Sequence, residues 1–167
     1  MKKNITIIGL TNDYKRNISK ALADELDMIF ADINELMEFN FINSNMLETA
    51  GQDYYDKNER KTIQTITSYE STVITLNFST FNKSDYSSII KNNSLVIYLR
   101  QSFEDFVIAN KKEVSKSLLN INKIAFNDRD KLMLSYCDIK IDIENESISE
   151  CVEKILIGIN NYYKEGK

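Results

Sequence analysis

Short apolar runs alternate with amphipathic stretches along the whole chain. Ile5-Thr6-Ile7-Ile8 is apolar and β-branched and breaks at Gly9. Beyond it, Ile18, Ala21, Leu22 and Leu26 recur at helical spacing. Met28 to Ala31 is a second short apolar run, and Asp32 then stands as the N-cap of a helix to Phe41 carrying Ile33, Leu36 and Met37. Asn43 to Tyr69 reads as one or two helices interrupted near Gly51. Its stripe is Ile63 and Ile66, with Asp56, Lys57, Glu59, Arg60 and Lys61 on the solvated side. Thr72 to Leu76 is a strand, and Tyr86 to Lys91 a short helix. Leu95 to Leu99 is apolar almost without a break, which suits a strand buried on both faces. Ser102 caps a helix holding Phe103, Phe106 and Val107, and Lys111 to Asn127 is polar and weakly patterned, so it reads as mobile. Asp138 to Ile143 alternates as a last strand. Ser147 to Tyr163 is an amphipathic helix with Val152, Ile155, Leu156 and Ile159 inward. Strands alternating with helices predict an α/β fold, doubly wound with right-handed crossovers, and residues 1–167 read as a single domain.

Composition narrows the function classes. A net charge of −4 gives no reason to expect nucleic acid or an anionic membrane as partner. No apolar run approaches the ~20 residues of a membrane span, so the expectation is a cytoplasmic protein. Histidine is absent, which removes imidazole acid–base chemistry and the commonest zinc ligand. Cys137 and Cys151 read as reduced thiols, since a small secreted scaffold carries more cysteines.

The candidate chemistry lies between the first strand and the first helix. Gly9 and Lys15 have the spacing of the phosphate loop G-x-x-x-x-G-K-[ST]. Tyr14 stands at the second glycine and Arg16 at the metal-binding hydroxyl. Such glycines let backbone amides close around an anion. For other residues the left-handed region costs about 1–2 kcal/mol, so Tyr14 is expected to disfavour the nest and to lay its ring in the phosphate space. Arg16 removes a magnesium ligand and sets a cation where a dication belongs.

The chain as a whole resembles the shikimate kinase family. Beyond ITIIGL, the segment FADINELME resembles F-x-D-x-D-x-x-I/L-E, and GQDYYDKNE resembles G-E-x-x-F-R-x-x-E. NKSDYSSIIKNNSLVIYL is similar to the family's approach to its fourth strand, SKSLL to the lid's R-P-L-L, and DRDKLMLSYCDIKID to its closing motif. The resemblance implies a three-layer sandwich around a five-stranded parallel sheet, the architecture of P-loop kinases, with a lid at about 111–127. It also implies transfer of the γ-phosphoryl group of ATP to shikimate, with magnesium.

Carried over residue by residue, the catalytic candidates are Lys15, Asp32 and Asn34, with Asp32 also at the metal. Nucleotide contacts fall on Gly9, Asn12, Asp13, Tyr14, Lys15, Arg16 and Lys116. Substrate contacts fall on Asn34, Asp56, Ser79 and Arg129. Several positions depart from the pattern. Asn34 replaces a carboxylate, and an amide cannot accept a proton. Asp56 replaces an arginine, and Asn77-Phe78-Ser79 replaces a glycine run, with Phe78 crowding the acceptor pocket. In the lid, Lys116 and Ser117 replace arginine and proline. These changes fall in every functional segment, whereas the strand and helix patterns stay whole. The expectation is an eroded site, weak or inactive as a kinase, on a fold kept for binding a small molecule (nucleotide or shikimate-like) or a protein partner. ATP and magnesium are expected only if activity remains. The alternative is a working small-molecule kinase.

Overall fold

A computed structural model of the chain describes residues 4–9, 12–40, 42, 44–76, 78–81, 84–109, 116–144 and 146–166. The element order is β1 (Asn4–Gly9), α1 (Asn12–Glu25), β2 (Ile29–Asp32), α2 (Ile33–Phe39), α3 (Ser44–Ala50), α4 (Gln52–Ser68), β3 (Thr72–Thr75), α5 (Phe78–Phe81), α6 (Ser84–Asn93), β4 (Ser94–Arg100), α7 (Phe103–Ala109), α8 (Lys116–Tyr136), β5 (Ile139–Asp142) and α9 (Ile148–Lys164). The strands form one parallel sheet in the order β2-β3-β1-β4-β5. Helices cover both faces, giving the expected three-layer α/β sandwich.

The near-continuous apolar strands are sorted by the pleat into two cores. In β4, Leu95, Ile97 and Leu99 face α1 and α9 together with Ile5 and Ile7 of β1. Val96 and Tyr98 face the opposite layer, where Ile63 and Ile66 of α4, Ile90 of α6 and Met133 of α8 meet them. Asp32 closes β2 and caps α2, its side chain accepting from the Asn34 amide. Ser147 and Glu150 form a full capping box at the start of α9. Gly51, at φ 83°, separates α3 from α4. That left-handed value is one glycine adopts freely. Both cysteines are free thiols.

Two expectations are corrected. The helix after Asp32 ends at Phe39, with Asn40 as its C-cap. Glu59 is not on the solvated side: it is 3% exposed and accepts a hydrogen bond from Thr80 Oγ1 at 2.9 Å. Of the polar stretch read as mobile, residues 116–127 form the first turns of α8, and 111–115 lie outside the described residues.

Candidate functional site

In a parallel α/β sheet, ligands bind beyond the carboxyl ends of the strands. Here β1 ends at Gly9 with β3 on one side and β4 on the other. Gly9 is needed for close packing: a Cβ there would lie 2.9 Å from the Leu99 carbonyl oxygen of β4. Its φ is not in the left-handed range.

α1 starts at Asn12, so Asp13, Tyr14, Lys15 and Arg16 are its first turns. Tyr14 does not enter the phosphate space. It turns towards α9, donating from its hydroxyl to the Glu146 carbonyl oxygen at 2.6 Å, with Cys151 Sγ 3.0 Å away. Burial, then the thiol, holds its phenol well above the usual range. Nor is it strained, for among the described non-glycine residues only Asp27 and Ser71 have positive φ. The expected clash fails because the backbone is helical at residue 14 and aims the ring into the α1–α9 core.

Lys15 points into the molecule. It is 4% exposed, and its ammonium donates to the Leu76 carbonyl oxygen at 2.6 Å and to that of Gly9 at 3.4 Å. It thus ties the end of β1 to the chain just past β3. Desolvation lowers its pKa to about 8, and the charge of Asp32 opposes that fall.

Arg16 lies across the neighbouring carboxylates. Its Nε is 3.3 Å from Asp32 Oδ2, Nη2 donates to Glu35 Oε1, and the guanidinium sits 5.6 Å from the Phe30 ring centroid. Asp32, 8% exposed, gives its other oxygen to the Asn34 amide at 2.9 Å. Both oxygens are therefore engaged by protein. Position 16 supplies no hydroxyl for a metal ion, and Arg16 pairs with one oxygen of Asp32 while the Asn34 amide takes the other.

These side chains enclose a cleft of about 170 Å³, lined by Asp13, Lys15, Arg16, Asp32, Asn34, Thr75 and Leu76. Thr75 Oγ1 is buried on its wall without a hydrogen-bond partner. The structure therefore brings Lys15, Arg16, Asp32 and Asn34 together. Asp56 is elsewhere, on α4, accepting from Gln52 Nε2 at 2.8 Å. Arg129 is exposed on α8 and does not line the cleft. The inward residue there is its neighbour Asp130, held by Tyr98 Oη at 2.8 Å and by Arg100 Nε at 2.9 Å. The side chains of Asn12, Phe78, Ser79 and Lys116, and the whole of Asn77, lie outside the described residues.

Sequence reasoning missed Glu35 and Thr75. Glu35 carried a signal, since Asp32 and Glu35 have the spacing of a helix cap and its third position.

The shikimate kinase family model matches residues 14–160. The chain belongs to the shikimate kinase family. Among its shikimate kinase relatives, that of Sulfurihydrogenibium sp. (strain YO3AOP1) is 29% identical over 163 residues, spanning 94% of this chain and 98% of the relative. That of Buchnera aphidicola subsp. Baizongia pistaciae is 27% identical over 172 residues, spanning 96% and 98%. The fold is that of the solved shikimate kinase from Acinetobacter baumannii in complex with shikimate. The TM-score is 0.79 at 17% identity, over 95% of this chain and 93% of the other. The shikimate kinase from Aquifex aeolicus gives 0.76 at 21% identity, over 95% and 96%. Among the described residues no helix is long and apolar enough to cross a membrane.

Proposed function

We propose that this member of the shikimate kinase family has lost efficient metal-assisted phosphoryl transfer from ATP to shikimate, and that its fold serves a binding or regulatory role. The observation that supports this reading is the pairing of Arg16 with Asp32 and Glu35, which sets a cation on the carboxylate that the family resemblance assigns to magnesium. Phosphoryl transfer depends on positioning and on neutralising spread negative charge. Lys15 can still supply one positive charge. Asn34 can hydrogen-bond an acceptor hydroxyl but cannot take its proton. Losing the metal and the base together costs at least ~10⁴-fold in rate, at ~10² or more for each. In this reading Lys116 and the segment 111–127 take the place of the family's lid. Asn34, Ser79 and Arg129 take that of its acceptor contacts, with Asp56 opposing an anionic substrate.

A coupled ADP-release assay with ATP, magnesium and shikimate tests the reading. The expected outcome is turnover far below that of a working small-molecule kinase, and a rate near ~1 s⁻¹ or above overturns it. One observation favours the alternative of a working kinase: Lys15 stays on the cleft with an ammonium proton not committed to any described residue. Millimolar Mg·ATP or ADP must then raise the melting temperature, because a ligand that binds only the native state stabilises it.

A further inference from the structure

We infer that the groove between α2 and α4 is the seat of a second copy of this chain, packed about a two-fold axis with Phe39 of each copy in the groove of the other. The inference goes beyond the reading of the cleft and stands whether or not phosphate is transferred there. No described residue lines both the groove and the cleft.

The groove holds about 500 Å³. On α4, Tyr54 and Lys61 lie two turns apart, and Tyr69 is the helix's C-cap; all three line it. α2 contributes its last residue, Phe39. Underneath, Ile42 and Ile66 are part of the core of this helical layer.

Three large rings stand in water here. Phe39 is 82% exposed, Tyr69 53% and Tyr54 48%. At roughly 200 Å² for a whole aromatic side chain, they expose about 350 Å² between them. That is within the ~300–600 Å² of the largest patch on a typical monomer, a patch that is often functional. Charge is nearly missing. Lys61 is the one charged residue among the twelve described residues lining the groove, in a chain that is 28% charged. A surface poor in charge and rich in Tyr and Phe has the composition of an interface core.

Two features favour another copy over an unlike partner. The face carries both a projecting ring and a hollow with room for one. A two-fold contact needs that combination, because a residue of one copy meets a different residue of the other and the reverse holds as well. Area agrees. Two copies would take about 700 Å² of ring surface out of water, and the other lining residues need add only about 250 Å² per copy to reach the ~1,200 Å² of a stable interface. Each copy carries a net charge of −4, so the copies repel at long range and apolar burial holds the contact. Salt screens that repulsion, so the dimer survives high ionic strength.

Sedimentation velocity on the full chain, from about 1 to about 200 μM, is the test. Wild type is expected to pass from one chain mass to two in the micromolar range, and to stay double in about 1 M sodium chloride. Phe39→Asp is expected to weaken self-association about tenfold or more. Should that variant fail to fold, Tyr69→Asp carries the same expectation. Ile157→Glu charges an exposed residue of α9, on the opposite side of the sheet, and is expected to change nothing. Phe39→Trp gives the chain its first tryptophan, whose emission is expected to shift to the blue as the mass doubles. A single-chain mass for wild type throughout, association that Phe39→Asp leaves intact or Ile157→Glu abolishes, or emission that stays at its water-exposed position while the mass doubles each overturns the proposal. Wild type that stays single yet binds an apolar dye, with Phe39→Asp losing the dye, gives the groove to a small apolar ligand and overturns it too.

Discussion

The buried ammonium of Lys15 makes a measurable claim about stability and pH. Burial lowers its pKa to about 8, against 10.5 for an unperturbed lysine. Between those values the unfolded chain binds more protons than the folded one, so the contribution of Lys15 to stability rises with pH. Below pH 8 the cost of burying the charge is fully present, and it is relieved as pH climbs towards 10.5. Integrating the linkage from pH 8 to 10 gives about 2 kcal/mol in favour of the folded chain. Other groups pull the opposite way. Burial raises the thiols of Cys137 and Cys151 and the phenols of Tyr14 and Tyr98, so the unfolded chain ionises first at each. Their effect is common to wild type and Lys15→Met and cancels in the difference. Urea unfolding of both proteins at intervals from pH 8 to 10 is the assay. Wild type is expected to gain about 2 kcal/mol relative to Lys15→Met across the window. Parallel curves, within about 0.5 kcal/mol, would refute a depressed lysine and with it the buried placement of the ammonium.

Two further substitutions test the surroundings of the cleft. Tyr14→Phe removes the hydroxyl bonded to the Glu146 carbonyl and is expected to cost about 1 kcal/mol in chemical denaturation. A denaturation midpoint unchanged from wild type would contradict that bond. Gly9→Ala sets a Cβ 2.9 Å from the Leu99 carbonyl oxygen, and is expected to cost about 1–3 kcal/mol as β1 and β4 are forced apart. A thermal melt unchanged from wild type would contradict that packing.

The architecture was legible because each strand declares itself locally. Leu95 to Leu99 can stay apolar residue after residue only if both faces are covered, and the pleat then deals Val96 and Tyr98 to one core and the remainder to the other. Two side chains were harder to read, for two different reasons. At Glu59 charge was weighed above spacing. The residue sits four before Ile63 and seven before Ile66, on the buried stripe of α4, and a hydroxyl from Thr80 makes that burial tolerable. At Tyr14 a family motif was weighed above spacing. Tyr14, Ile18 and Leu22 fall four apart, and once α1 is taken to begin at Asn12 the tyrosine continues the stripe that packs against α9. The register that sends Tyr14 into that core sends Lys15 beneath the ends of β1 and β3 and Arg16 across to Asp32. One helical start therefore accounts for all three side chains. The pairing of Arg16 with Asp32 and Glu35 had no such local trace, because it depends on the crossover that carries β2 and α2 alongside α1. A residue read alone as the loss of a metal ligand is thus, in three dimensions, a cation paired with Asp32 and Glu35.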